Sequence, residues 1–591
     1  MTAKKPFSLE DALSFSPLSA WKEGATDPDI SRDGQQIVFV QQERLWLVDA
    51  LGGDPTPLTE GVAPQWSPVG DKIAFLRVGA DTKKQIWIWD LASGQERQIT
   101  QHASGITCIA GRLTNFCWHP EGHHLFFTSL VGRSRDQPAN LPPCPGLFTV
   151  DVAAAETTEI ATGAPGVRWS SPSCSPKGER VALRENNFLA SCGEQQMHPA
   201  VVELKTGKVS YPVGHSKRQG FPGEWSPEGA LLAFPYSPYD FVTTHRMVCT
   251  VVSTEAQDIC PFYFALEYFL KPFRHLIWHP DGTSLFLCGV RGITCSLLQV
   301  NILTGDMRLV ADAEGGVYEG LRRSADGHRL VSTHRTLTTL PEVYCLFDDG
   351  QGHWERRRLT NTSKRLEHFQ LAETRVVQWQ APDGFVLEGV LTLPPGYRKG
   401  LSGPVIVDLH GGPMAVLLAE FYPEWHWLAA QGYIVFAPDF RGSQVYGWQA
   451  PPLEPNDALD VLAGVEWMLN EGCGNPDLLA LRGHSYGAAL GAYLLGHSHK
   501  TFFRAAVLDG MVSHYEDTLT TSPSPATPTL LLQGERDNID EVRLHETWLR
   551  QAGVTTELAV YPQDEHTISS PRNRRDFWKR TLSWFDTYVR A

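Results

Sequence analysis

A four-residue turn repeated seven times through the first half, and a strand, Gly-x-Ser-x-Gly, helix succession in the second, predict a seven-bladed β-propeller followed by an α/β-hydrolase domain. Length agrees. A chain of 591 residues is too long for one core and implies about two large domains. The expected organisation is an N-terminal segment, 1–22, forming a helix against the hydrolase domain; a propeller over 23–364; and a catalytic domain over 365–591.

The turn copies start at Ser31, Ser67, His119, Ser175, Ser226, His279 and Ser324, and each ends on a glycine three residues later, Gly34 through Gly327. Trp66, Trp118, Trp225 and Trp278 stand directly before four of them, and apolar strands such as 72–76 and 231–234 follow. Strand, tight turn, strand at this period gives one propeller blade per copy. Beyond residue 365 the meander stops. Runs 376–384 and 386–393 read as antiparallel lead-in strands, and the buried pattern 405–409 as the first parallel strand.

The chemistry follows from what ends each strand. Residues 478–482 read as a buried strand running into Gly483-His484-Ser485-Tyr486-Gly487, with a small-residue helix behind it. Glycines let the backbone turn sharply enough to hold Ser485 Oγ at the carboxyl edge of the sheet. Strand 529–533 ends at Gly534, with Asp537 three residues beyond, and strand 557–561 is followed by Pro562 and His566. Both lie on the edge that carries Ser485, in the order serine, acid, histidine that this fold requires. His566 is the expected general base and Asp537 its orienting carboxylate. Asp540 and Asp509 are rival acids, and His545 is disfavoured because it falls within a helical run. After strand 405–409 come His410-Gly411-Gly412-Pro413, whose backbone N–H groups can approach a tetrahedral oxygen, paired with the N–H of Tyr486.

Composition narrows the class. Net charge is −15, against nucleic-acid or anionic-membrane partners. No run has membrane-spanning length, and the N-terminus lacks an apolar signal core. Eleven cysteines without paired metal spacing fit reduced thiols in the cytoplasm. Histidines form no metal-ligand cluster and no phosphate loop occurs, so neither metal nor cofactor is expected.

Taken with Leu393-Pro394-Pro395-Gly396-Tyr397, Asp439-Phe440-Arg441-Gly442-Ser443 with Tyr446-Gly447, Gly534-Glu535-Arg536-Asp537 and Tyr561-Pro562-Gln563-Asp564-Glu565-His566, these motifs resemble the prolyl oligopeptidase family of serine peptidases. The His410-Gly411-Gly412-Pro413 form looks most like its acylaminoacyl-peptidase branch. The resemblance implies the triad Ser485, Asp537 and His566, an oxyanion hole from the Gly412 and Tyr486 N–H groups, and short peptides or acylated amino acids as substrates. Val512, Tyr515 and Phe421 are candidates for the substrate pocket. Three departures stand out. Ile539 occupies the position where many members carry a carbonyl-binding arginine; the stretch 509–528 is short; and the segment between Gly447 and Asp457 is contracted. These leave an esterase or amidase as the alternative activity. A dipeptidyl-peptidase mode would need paired glutamates. The chain has no Glu-Glu dipeptide, leaving separated carboxylates such as Glu255, Glu267 or Glu319.

Overall fold

The computed structural model describes residues 4–590 except 16–23, 107, 110–112, 132–141, 188–195, 213–222, 237–247, 254–268, 271–275, 413–416, 444–445, 447–454, 498–502 and 512–526. The first half is a ring of antiparallel meanders. Four-stranded sheets span 26–60, 62–98, 116–162 and 167–210; a three-stranded sheet spans 224–253; and a nine-stranded sheet spans 269–358. The last consists of two meanders joined by a single parallel bridge between Cys295 and Val317. In each of the seven turns the terminal glycine N–H donates to the carbonyl of the first turn residue, from Gly34 to Ser31 (2.8 Å) through Gly327 to Ser324 (3.2 Å). All seven glycines have positive φ, between +70° and +85°, where a side chain would be strained.

Successive sheets are tied by the tryptophans ahead of the turns. The indole N–H of Trp118 donates to the Gln65 carbonyl, Trp225 to Ser173 and Trp278 to Glu224. The ring closes because the first and last sheets share a core: Ile30, Ile37, Phe39 and Val48 pack with Val331, Val343 and Cys345. The closing seam also carries a hydrogen bond from Arg329 to the Gly34 carbonyl at 2.7 Å.

The second half is an eight-stranded sheet. Its strands are β1 (Glu373–Gln380), β2 (Val386–Leu393), β3 (Val405–Leu409), β4 (Ile434–Pro438), β5 (Leu479–His484), β6 (Ala505–Asp509), β7 (Thr529–Gly534) and β8 (Thr556–Tyr561). Their spatial order is β1-β2-β4-β3-β5-β6-β7-β8, antiparallel up to the β2–β4 pair and parallel from there on. The parallel strands are apolar on both faces because helices cover both. In chain order the helices are α1 (Leu9–Ser14), α2 (Pro423–Ala430), α3 (Pro455–Asn470), α4 (Tyr486–His497), α5 (Ile539–Gln551) and α6 (Pro571–Tyr588). The N-terminal α1 is fixed by a Ser8–Asp11 capping box. Its Ala12, with Phe7 and Phe15 on either side of the helix, is buried in one cluster with Trp425, Trp427 and Trp578 of the second half.

The two halves share an apolar seam, in which Ile293, Leu337 and Leu340 join the cluster around Phe421 and Trp425, and polar contacts beside it. Arg335, 3 % exposed at its side chain, donates to Glu319 on its own meander (2.7 Å) and to Glu420 before α2 (2.6 Å). Ile293 on the ring donates its N–H to Glu388 of β2, and its carbonyl accepts from Ala419. No helix among the described residues is long and apolar enough to cross a membrane.

Candidate active site

Ser485 sits at the junction of β5 and α4 with φ +54°, the left-handed region that a residue other than glycine enters only under constraint. Its flanking glycines are required by backbone. A Cβ on Gly483 would lie 2.2 Å from the Gly487 carbonyl oxygen, and one on Gly487 would lie 2.3 Å from the Leu409 carbonyl oxygen. The Ser485 N–H donates to the Asp509 carbonyl at 2.8 Å, tying the elbow to the next strand.

His566 Nε2 lies 2.8 Å from Ser485 Oγ, and His566 Nδ1 lies 2.9 Å from Asp537 Oδ2. The same Asp537 oxygen accepts from Gln533 Nε2 at 2.6 Å, and Gln533 Oε1 accepts from the Met511 N–H. The carboxylate is therefore aimed by β7 itself. Gly534 is needed because the loop bearing His566 crosses there; a Cβ would lie 2.0 Å from the Glu565 carbonyl oxygen.

The rival acids sit elsewhere. Asp540 is exposed in the first turn of α5, and His545 is buried in that helix. Asp509 bonds His484 (2.6 Å) and Arg482 (3.1 Å), and Arg482 also bonds Asp408 (2.7 Å). Burial opposes the Asp509 charge, but Arg482 and His484 overcome it and hold the carboxyl below the usual range. His484 is held above the usual imidazole range, because Asp509 more than offsets its desolvation. This second His–Asp pair flanks the first, with the His484 and His566 ring centroids 5.3 Å apart. Below it a cavity of about 340 Å³ opens between Asp408, Trp425, Arg482 and Phe577. The signal for this network was a lone charged residue near the end of each apolar strand: Asp408, Arg482 and Asp509.

Gly411 packs on Ser485, since a Cβ there would lie 3.2 Å from Ser485 Cβ, and Gly412 follows with φ +135°. Tyr486 is buried, its hydroxyl bonded to Asp457 and its ring stacked on Phe440. Phe440 stacks in turn on His410. Of the expected pocket residues, Val512 and Tyr515 lie outside the described residues. Phe421 is not in the pocket: it is 5 % exposed and packs against Phe7, Phe15 and His426, its ring taken up by the N-terminal segment. Glu255 and Glu267 fall outside the described residues, and Glu319 is engaged by Arg335.

Residues 419–522 match the model of the prolyl oligopeptidase family. Over nearly its whole length the chain is similar to an uncharacterized peptidase, YuxL, of Bacillus subtilis, 21 % identical over 95 % of this chain and 98 % of that one. Among solved structures it superposes on an acylaminoacyl peptidase of Pyrococcus horikoshii, with a TM-score of 0.75, 17 % identity and 96 % of each chain covered. It also superposes on a puromycin-hydrolyzing peptidase of Mycobacterium tuberculosis, with a TM-score of 0.68, 17 % identity and coverage of 97 % of this chain and 96 % of that one. By these matches the chain is a serine peptidase, similar over residues 419–522 to the prolyl oligopeptidase family.

Proposed function

We propose that the chain cleaves short peptides, in the manner of an acylaminoacyl peptidase or oligopeptidase, through an acyl-enzyme on Ser485. The observation that carries this reading is the unbroken relay Ser485–His566–Asp537 at hydrogen-bond distances of 2.8 and 2.9 Å. Ser485 Oγ attacks the scissile carbonyl while its proton passes to His566 Nε2, and Asp537 stabilises the resulting imidazolium. The tetrahedral oxyanion is met by the N–H groups of Gly412 and Tyr486. Collapse expels the amine, which takes the proton from His566, and water repeats the sequence in reverse to release the acyl group.

Size selection comes from the ring of meanders over the sheet edge. We assign seven blades to it, one per turn motif, and divide the chain at 1–22, 23–364 and 365–591. The sharing of one cluster by Phe7, Phe15 and Trp425 supports grouping the N-terminal segment with the hydrolase half. The buried free thiols Cys295, Cys345 and Cys473 support a reducing, cytoplasmic setting. A free-amine dipeptidyl mode is disfavoured, because Glu319 already binds Arg335. Hydrolysis of small esters or amides is the second reading. It is favoured by Ile539, half-buried at the start of α5 where a carbonyl-binding cation would otherwise stand.

Relative kcat/KM on an acylated amino-acid anilide, a free-amine dipeptide anilide and a short-chain nitrophenyl ester separates these readings. The proposal expects the acylated anilide to exceed the dipeptide anilide. A preference for the free amine, or turnover of the ester alone, would overturn it.

A further inference from the structure

We propose that His410 is a positioning residue: as an imidazolium paired with Asp439, it clamps the Gly411–Gly412 peptide so that the Gly412 N–H is presented as an oxyanion donor. This rests on the serine-hydrolase reading above. His410 Nε2 lies 2.8 Å from Asp439 Oδ1, and His410 Nδ1 lies 2.8 Å from the Gly411 carbonyl oxygen. A carbonyl oxygen only accepts, so Nδ1 must carry a proton. With Asp439 ionised, Nε2 must carry one as well, and a neutral ring cannot serve both partners.

The geometry then fixes the donor. In a trans peptide the carbonyl of one residue and the N–H of the next are rigidly antiparallel. Holding the Gly411 carbonyl toward the imidazole therefore turns the Gly412 N–H the opposite way, on a loop whose Gly411 abuts Ser485. The ring has no freedom to swing, because it stacks on Phe440 at 4.3 Å with only 3° between planes, and Asp439 is fully buried.

Burial, with Glu388 nearby, pushes the Asp439 carboxyl up, and the hydrogen bond and charge of His410 oppose that shift. Burial disfavours the imidazolium of His410, but the hydrogen bond and charge of Asp439 prevail and hold the ring above the usual imidazole range, with Asp408 of β3 adding to the effect. The other titratable groups facing the pair are Glu388 of β2 and the phenols of Tyr422 and Tyr446. Burial keeps both phenols neutral far into the alkaline range, so they carry no charge that could titrate the clamp. Loss of the His410 proton to base leaves a lone pair on one ring nitrogen. If that nitrogen is Nδ1, it faces the Gly411 carbonyl and the clamp opens.

The test is kcat and KM against pH on an acylated amino-acid anilide, which has no titrating amine, for wild type, Asp439→Asn and His410→Gln. Removing the Asp439 charge should make His410 lose its proton more readily, so the alkaline fall in kcat should begin at lower pH in Asp439→Asn. His410→Gln should lower kcat about 10–100-fold, short of the ~10²–10³ lost with a whole oxyanion donor, with KM within about twofold and no alkaline limb. If Asp439→Asn does not accumulate folded, spectra of ¹⁵N-histidine-labelled enzyme replace it. A doubly protonated imidazole should persist in wild type to higher pH than an ordinary histidine allows, and that resonance should be missing from His410→Gln. An alkaline limb unmoved in Asp439→Asn, an intact limb in His410→Gln, or the absence of that doubly protonated imidazole overturns the clamp. Fluorophosphonate labelling of wild type at Ser485 separates this from failure of the underlying reading: a labelled enzyme with an unmoved limb refutes the clamp alone.

Discussion

Replacing Asp537 by asparagine should cost less than the ~10⁴-fold seen where the same change lets the histidine adopt the wrong tautomer. The reason is Gln533. Its amide donates at 2.6 Å to the Asp537 oxygen that also accepts from His566 at 2.9 Å. An asparagine that placed its NH₂ there would set donor against donor, so it keeps its oxygen in place and His566 keeps its proton on Nδ1. What remains is loss of a negative charge from the imidazolium formed during attack. At about 4 Å and an effective dielectric near 20 that charge is worth about 4 kcal/mol. Solvent reaches His566, whose side chain is 40 % exposed, so the loss should fall to about 10²–10³-fold in kcat. The assay is steady-state anilide hydrolysis, with thermal unfolding run on the same samples. Asp509→Asn provides the contrast. It strips a buried partner from Arg482, so it should lower stability by up to about 3–5 kcal/mol while affecting kcat less, per folded molecule, than Asp537→Asn. A fall under fivefold in Asp537→Asn, or a greater loss of kcat in Asp509→Asn, would mean that Asp537 is not the carboxylate that stabilises the imidazolium. A loss of 10⁴ would refute the part assigned to Gln533.

Gly483→Ala should abolish soluble, active enzyme, because its Cβ meets backbone at 2.2 Å and cannot be relieved by a side-chain rotation; recovery of wild-type melting and kcat would contradict the elbow geometry. Arg335→Leu leaves Glu319 and Glu420 facing each other without their cation and should destabilise by about 3–5 kcal/mol, measured by urea unfolding; a change under 1 kcal/mol would mean the bridge is solvated. Acid should weaken the fold through His426 and His545, whose burial pushes each down to about 4. Because the folded pKa values are depressed, the unfolded chain binds protons first. Stability is then complete above about 6.5 and declines as pH falls toward 4, by at most about 3 kcal/mol for each histidine. His545→Gln should flatten part of that decline in urea midpoints between pH 7 and 5, and an unchanged slope would exclude His545.

Much of the site was legible because strand ends announce themselves. Gly483 and Gly534 each stand where a Cβ would strike backbone, so glycine there marks a close crossing rather than a loose turn. The histidine and carboxylate beyond β8 and β7 then had one edge to share. Phe421 was misread because its partners, Phe7 and Phe15, lie some four hundred residues earlier, and no local pattern states that an N-terminal segment will cover α2. The charged network of Asp408, Arg482, His484 and Asp509 was visible only as isolated polar residues in apolar strands. Their pairing depends on β3, β5 and β6 being neighbours in register, a property of the sheet order rather than of any one strand. The link between His410 and Asp439 is of the same kind, joining the ends of adjacent strands β3 and β4.

Mass spectrometry of fluorophosphonate-treated protein decides whether Ser485 is the nucleophile of a competent hydrolase. A single adduct on the peptide containing Ser485, absent from Ser485→Ala together with nearly all anilide turnover while the melting curve is preserved, is the expected result. An adduct on another residue, or Ser485→Ala retaining more than about a tenth of wild-type activity where a triad allows only traces, would contradict it.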